Sequence, residues 1–294
     1  MAFRTVVIEK AVNVRLDLNN IVVNYENDKF WINVDEISVI IVDDPRCNVS
    51  LNVLSYLCEK GVTVIFCNSS HMPIGSLQTL SLHSRSSKRV KQQIEWNDSA
   101  KEYLWTQIVK AKIFNQYKTL EKINTCDKLP IIYNLLNSIT IGDPQNREGT
   151  VSRIYFKELF GDTFRRFDED IINYALNYIY QIIRSKISQE IVAYGYLPSY
   201  GIHHKSEFNA YNLADDFIEP FRPICDYFVH DILYNSLDDY LTPEIKHKLV
   251  DILNINVRYN GSKFKLHIVM QFYVQNLFSF LETGEVNKII FPEL

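Results

Sequence analysis

The feature that most constrains this chain is a change of hydrophobic period between residues 70 and 96. Before it, TVVIEK, VNVRLDL, NIVVNYE, KFWINV, ISVIIVDD and VTVIFCN form short Val- and Ile-rich runs bounded by Asn, Asp and Gly. Runs of that length and composition are strands. Several alternate apolar with polar residues, as a half-buried antiparallel sheet does. One helix interrupts them. SLNVLSYLCEK places Leu51, Leu54, Leu57 and Cys58 at helical spacing, with Asn48 or Ser50 as its cap and Gly61 where a left-handed terminal residue belongs.

From Trp96 onward the period is helical. NDSAKEYLWTQIVKAKIFNQYKTLEKI sets Leu104, Ile108, Ala111, Phe114 and Leu120 along one stripe behind Asn97 or Asp98 as cap. KLPIIYNLLNSI, REGTVSRIYFKELFG, DEDIINYALNYIYQIIRSKI, DDFIEPFRPICDYFVHDIL and PEIKHKLVDIL read as further helices, Asn260-Gly261 as a hairpin turn, and IVMQFYVQNLFSFLE as a last helix. Pro73, Gly75, small polar residues and SRSSKRVK lie between the two regimes, which is the composition of a linker. At 294 residues the chain exceeds the ~100–200 of one typical domain. The expected architecture is therefore α+β, with a small β-rich domain over residues 1–72, a basic linker over 73–95 and a larger α-helical domain over 96–294.

Hydrophobic residues make up 47% and charged residues 22%, an ordinary soluble balance. The N-terminus, MAFRTVVIEKAVNV, lacks the apolar core of a signal peptide, and no apolar run approaches the ~18–20 residues of a spanning helix, so a cytoplasmic protein is expected. Cys47, Cys58, Cys67, Cys126 and Cys225 are odd in number and include no CxxC pair; they read as reduced core residues rather than a zinc site. The net charge of -4 hides a segregation. No acidic residue falls between Glu59 and Glu95, where Arg85, Lys88, Arg89 and Lys91 crowd together.

Three segments in the helical part carry candidate chemistry. QNREGTVSRIYF places Glu148 in the opening turn of a helix. GYLPSYGIHHKSEFN has irregular backbone at Pro198 and Gly201 just before His203 and His204. YNLADDFIEPFRP puts Asp216 and Glu219 on one helix face. Pro220 either kinks that helix beside Glu219, or Pro220 or Pro223 opens a new one. A lone buried Glu is commonly ion-paired, here with Arg147 or Arg222, and a lone His beside a turn commonly sits at the surface. If the two carboxylates and one imidazole converge, they suit Mg²⁺ or Mn²⁺ rather than a closed zinc site.

Taken together and in this order, the three segments resemble the CRISPR-associated integrase and endonuclease family of spacer acquisition, most closely its branch in type II systems. The most specific stretch is GIHH followed by DFIEPFRP, preceded by Ala175-Leu176-Asn177-Tyr178. The resemblance covers nearly the whole chain. It implies a metal held by Glu148, His204 and Glu219, the last of these often Asp in relatives, with Asp216 as a secondary acidic residue and His203 as competitor to His204. It implies transesterification: the 3′-hydroxyl of a prespacer duplex attacks a phosphodiester at the leader–repeat end of the array. Arg85, Lys88, Arg89 and Lys91, extended by Lys110 and Lys112, would neutralise phosphates of double-stranded DNA, the bland alternative being a solvated helix face. A homodimer formed through the β domain, a small second adaptation protein completing a hetero-hexamer, the type II effector nuclease and an accessory ring protein are the implied partners. Two other readings stand beside this one: a metal-dependent nuclease that does not integrate, and a DNA-binding scaffold whose carboxylates are structural.

Overall fold

The computed structural model describes residues 4–10, 12–26, 28–77, 79, 83–123, 127–234 and 238–294. Cys126 lies outside the described residues. Strands β1 (Arg4–Ile8), β5 (Ile37–Val42), β7 (Thr63–Cys67) and β8 (Pro73–Leu77) form one sheet in the order β1-β5-β7-β8. Strands β2 (Asn13–Asp17), β3 (Asn20–Tyr25), β4 (Asp28–Asn33) and β6 (Asn48–Val49) form a second in the order β4-β3-β2-β6. The antiparallel expectation holds for β2, β3 and β4. It fails for β1, β5 and β7, which pair in parallel. The connection from β5 to β7 runs through helix α1 (Leu51–Glu59), and a crossover of that kind is what parallel pairing requires.

Strand β5 explains why its sequence has no period. All six of its residues are buried, because both faces of the sheet are covered. Val39 and Ile41, with Ile65 and Cys67 of β7, belong to the core shared with the helical region. Ile40, Val42 and Val64 belong to a second core with Val14, Ile21, Val23 and Leu57. The first sheet is thus a partition between two hydrophobic cores. Ser50 caps α1 by accepting from the Val53 amide, and Gly61 leaves it at φ +68°.

The stretch expected as a linker carries ordered elements: β8, which pairs antiparallel with β7, and helix α2 (Ser86–Ile94), which contains most of the basic cluster. Helix α3 (Asp98–Ile123) follows and is the spine of the helical region. Around it lie α4 (Leu129–Asn137), α5 (Arg147–Phe160), α6 (Ile171–Ala193), α7 (Asn212–Ile218), α8 (Arg222–Leu233), α9 (Pro243–Val250) and α10 (Leu266–Thr283). Between α7 and α8 a 3-10 turn spans Glu219–Phe221, with Pro220 inside it and Pro223 in the first turn of α8. The prolines break the helix and restart it. Strands β9 (Asn256–Tyr259) and β10 (Ser262–Lys265) form the expected hairpin, with Asn260 at φ +49° and Gly261 at φ +76°. Cys67 and Cys225 are buried thiols, whereas Cys47 and Cys58 are half-buried; all four are free. Among the described residues no helix is long and apolar enough to cross a membrane.

Candidate active site

Glu148 sits at the start of α5, where the chain arrives through Asn146 in the left-handed region (φ +49°). Asn146 Oδ1 accepts from the Gly149 amide at 3.1 Å, and the Asp143 carboxylate accepts from the amides of Arg147 (2.9 Å) and Glu148 (3.0 Å). The first-turn amides are thus satisfied by Asp143 and Asn146, which leaves the Glu148 side chain free for other use. Its Oε1 accepts from Lys112 Nζ at 2.5 Å and from Ser152 Oγ at 3.4 Å.

Glu219 belongs to the 3-10 turn and is only 7% exposed. Its Oε1 accepts from Arg222 Nε at 2.8 Å, and its Oε2 lies 2.5 Å from Lys112 Nζ. Burial alone would push this carboxyl upward. Arg222 and Lys112 outweigh burial and hold it at about 2, so it is ionised at neutral pH. Burial would likewise lower Lys112, but Glu219 and Glu148 more than compensate, so its ammonium stays charged. Glu219 Oε2 accepts no well-directed hydrogen bond; Lys112 holds it by charge.

The turn that carries Glu219 is fixed from α3. Lys112, Asn115, Gln116 and Thr119 stand at i, i+3, i+4 and i+7 on that helix, and all are buried. Asn115 Nδ2 donates to the Pro220 carbonyl at 2.8 Å and to the Pro292 carbonyl at 2.9 Å. Thr119 Oγ1 donates to the Pro223 carbonyl at 3.3 Å, and Gln116 Nε2 to Ser152 Oγ at 3.3 Å. These bonds tie the turn at Glu219–Phe221 and the start of α8 to the polar face of α3.

The histidine segment is built on Asp216, which is fully buried on α7. Its Oδ2 accepts from the amides of Ile202 (2.7 Å) and His203 (3.0 Å), while its Oδ1 accepts from the His204 amide (3.1 Å) and lies 2.7 Å from His204 Nδ1. A Cβ on Gly201 would come within 2.4 Å of the His204 carbonyl and 2.7 Å of Asp216 Oδ2, so only glycine permits the approach. The hydrogen bond to Asp216 raises the pKa of His204. In the neutral imidazole that bond places the proton on Nδ1 and leaves Nε2 as the lone-pair nitrogen. His203 instead lies flat on Trp105, ring centroids 3.9 Å apart at 4°, and burial lowers its pKa.

Asp216, then, holds the histidine loop in place through three backbone amides and the His204 ring. Of the basic residues, Arg85, Lys88 and Lys91 are exposed. Arg89 is half-buried and bound to Glu282 and Tyr196, and Lys110 is partly exposed. Lys112 departs from the expected positive surface, because two carboxylates hold its ammonium inside the protein. Sequence reasoning also missed Gln93 on α2, 1% exposed, whose side chain donates to the carbonyls of Leu197 and Tyr200 and accepts from the Leu197 amide. The basic helix is thereby fastened to the loop leading into His204.

Among the described residues no three His, Cys, Asp or Glu side chains already encircle one point. What converges is Glu148 and Glu219, on a cation supplied by the protein. The donor chemistry nevertheless fits a hard divalent ion: two carboxylates, one with an oxygen lacking a directed hydrogen bond, and an imidazole whose other nitrogen a carboxylate holds.

Residues 5–239 match the family described as CRISPR associated protein Cas1. The chain is 29% identical over 295 residues to the CRISPR-associated endonuclease Cas1 of Neisseria meningitidis serogroup C (strain 8013), covering 100% of this chain and 97% of that protein. Its fold is similar to that of a casposase bound to integration product (TM-score 0.78, 17% identity, 96% of this chain and 92% of that one). It is also similar to a chain of a Cas6-RT-Cas1–Cas2 complex (TM-score 0.77, 18% identity), where the match covers 99% of this chain and 36% of the other. The chain belongs to the CRISPR associated protein Cas1 family, the endonuclease and integrase of spacer acquisition.

Proposed function

We propose that this chain joins the 3′-hydroxyl of a prespacer duplex to a phosphodiester at the leader–repeat end of a CRISPR array, at a site formed by Glu148, His204 and Glu219. The observation that carries this reading is the convergence of Glu148 and Glu219, from separate elements, on a single cation. In the reaction the prespacer 3′-hydroxyl gives up its proton as its oxygen forms a bond to phosphorus, while the bond from phosphorus to the 3′-oxygen of the array strand breaks and that oxygen takes up a proton. The number of phosphodiester bonds is unchanged, and no nucleoside triphosphate is consumed. Mg²⁺ or Mn²⁺ bound by Glu148, His204 and Glu219 would supply Lewis acidity at the phosphoryl oxygen and stabilise charge on the attacking and leaving oxygens.

The protein's own groups prepare that site. Arg222 keeps Glu219 ionised despite burial, Asp216 fixes the orientation of His204, and Asp143 fixes the start of α5 under Glu148. Arg85, Lys88, Arg89 and Lys91 on or beside α2, with Lys110 on α3, contact DNA phosphates and position the duplex without reading its sequence. Functioning as a homodimer with a small second adaptation protein, in the cytoplasm and with the effector nuclease and accessory ring protein of a type II system, belongs to the same proposal. The test supplies a prespacer and a supercoiled target containing a leader and repeat. Joined products that vanish in Glu148→Gln are the expected result; cleavage without joining would overturn integration in favour of simple nuclease action.

A further inference from the structure

Lys112 stands where the proposed function needs a metal ion. Its Nζ is 2.5 Å from Glu148 Oε1 and 2.5 Å from Glu219 Oε2, and its side chain is only 10% exposed. Arg222 takes the remaining oxygen of Glu219 at 2.8 Å. Two carboxylates thus face two cations, and the buried network is neutral before any ion arrives. A divalent ion seated on the same oxygens would meet an ammonium already bound to them. At such distances in a buried site, like charges repel strongly.

One of the two cations has to give way, and the geometry selects it. Arg222 lies in the first turn of α8, donates through Nε to Glu219 and stacks its guanidinium 4.7 Å over the ring of Tyr180. Lys112 carries its charge on a flexible four-carbon stem with three rotatable donors. Its contacts with Glu148 Oε1 and Glu219 Oε2 are both made by the ammonium at the end of that stem, which can swing away without moving the backbone. We propose that the Lys112 ammonium is the resident cation of the metal-free site: a divalent ion enters by displacing it from between Glu148 and Glu219, and the displaced ammonium pairs with a DNA phosphate. This rests on Glu148 and Glu219 being metal ligands.

Two consequences follow from charge alone. Free protein holds the metal weakly, because entry leaves an excess of positive charge in the site. DNA supplies the missing negative charge, so metal and DNA each tighten the binding of the other by the same factor.

The test is Mn²⁺ titration of the full chain, followed by the electron paramagnetic resonance signal of the free ion, with a short DNA duplex present or absent and corrected for Mn²⁺ that the duplex binds alone. Lys112→Met is expected to bind Mn²⁺ at least about tenfold more tightly than wild type without DNA, and to lose most of the tightening that DNA confers. Equal or weaker Mn²⁺ binding by Lys112→Met overturns the inference. In that case, wild-type binding that disappears in Glu148→Gln leaves the metal site standing, whereas no Mn²⁺ binding by any variant removes the metal site and this inference together. Should Lys112→Met fail to fold by circular dichroism, reductive methylation of wild type decides. Labelling of Lys112, quantified by mass spectrometry, rises several-fold when Mn²⁺ is bound; unchanged labelling with Mn²⁺ bound overturns the displacement.

Discussion

Asp216 and His204 are joined through both backbone and side chain: the same carboxylate oxygen that accepts the His204 amide at 3.1 Å lies 2.7 Å from its ring Nδ1. The other oxygen holds the amides of Ile202 and His203. One buried carboxylate therefore sets both the path of the loop and the tautomer of the imidazole. Asp216→Ala leaves three backbone amides without their acceptor and is expected to destabilise the fold by about 3 kcal/mol or more in chemical denaturation. Asp216→Asn keeps an acceptor but removes the charge. In the metal-free protein, ring-nitrogen NMR should show His204 titrating above 6.5 in wild type and at lower pH in Asp216→Asn. An unchanged titration would mean that Asp216 does not govern the ring.

The two adjacent histidines are expected to separate cleanly. His204 is held by a carboxylate at one nitrogen, whereas His203 lies flat against Trp105. His204→Ala should lower joining by about 100-fold or more, the scale on which a positioned acid, base or ligand acts. His203→Ala removes a stacking partner and should cost less than about tenfold. Comparable losses in the two variants would remove the distinction drawn between them.

Much of this arrangement is legible in sequence wherever a local rule suffices. Ser50 before α1, Asn97 before α3 and the Asn260-Gly261 turn each satisfy backbone groups within a few residues, and the structure uses them in that way. Parallel pairing of β1, β5 and β7 was not legible, because ISVIIV is buried on both faces and so shows no alternation. Lys112 was misplaced for a related reason. On α3 the apolar stripe marks one buried face, and the residues at Lys112, Asn115, Gln116 and Thr119 look like the solvated side. That polar face is buried because the turn at Glu219–Phe221 and the start of α8 pack against it and take its side-chain donors on the Pro220 and Pro223 carbonyls. Gln93 was hidden in the same way, its partners being backbone groups more than a hundred residues distant.

The Glu219 network gives the protein a defined sensitivity to acid. Glu219 has an ordinary value of 4.5 and is held at about 2 in the fold. A lowered carboxyl contributes stability that is complete above 4.5 and is lost as pH falls from there toward 2. Denaturation midpoints of wild type should therefore decline through that window, with Glu219→Gln showing a shallower decline. At pH 7 the same variant leaves Lys112 and Arg222 short of one negative charge and should lose about 3 kcal/mol. Glu148 is more exposed, at 28% of its side chain, and among the described residues its cationic partner is Lys112. Glu148→Gln should accordingly cost less than Glu219→Gln, about 1–2 kcal/mol, since the carboxylate is partly solvated but its partner is buried, while abolishing joining. Equal stability losses with joining retained would mark both carboxylates as structural.

Gln93 offers a way to loosen the histidine loop without touching any group at the site. Its side chain makes three hydrogen bonds to the backbone of Leu197 and Tyr200, at 2.8 to 2.9 Å, from a position 1% exposed. The segment it grips runs directly into Gly201 and the Asp216-bound amides. At the far end Asn212 Nδ2 donates to the carbonyls of Ser199 and Ser206, so the loop is pinned from α2 and from α7. Gln93→Leu keeps the volume and the helix but orphans the Tyr200 carbonyl and the Leu197 amide and leaves the Leu197 carbonyl only the Tyr200 amide at 3.4 Å, a change expected to raise local opening rather than to unfold the domain. Hydrogen exchange should accelerate by about tenfold or more at the Leu197 amide and across 200–204. Amides in the first turns of α5, which Asp143 and Asn146 hold independently, should keep their protection. Joining should fall through kcat, with DNA affinity little changed, because Arg85, Lys88 and Lys91 remain in place on the exposed side. Exchange confined to α2 itself, with residues 200–204 as protected as in wild type, would show that the basic helix does not support the histidine loop.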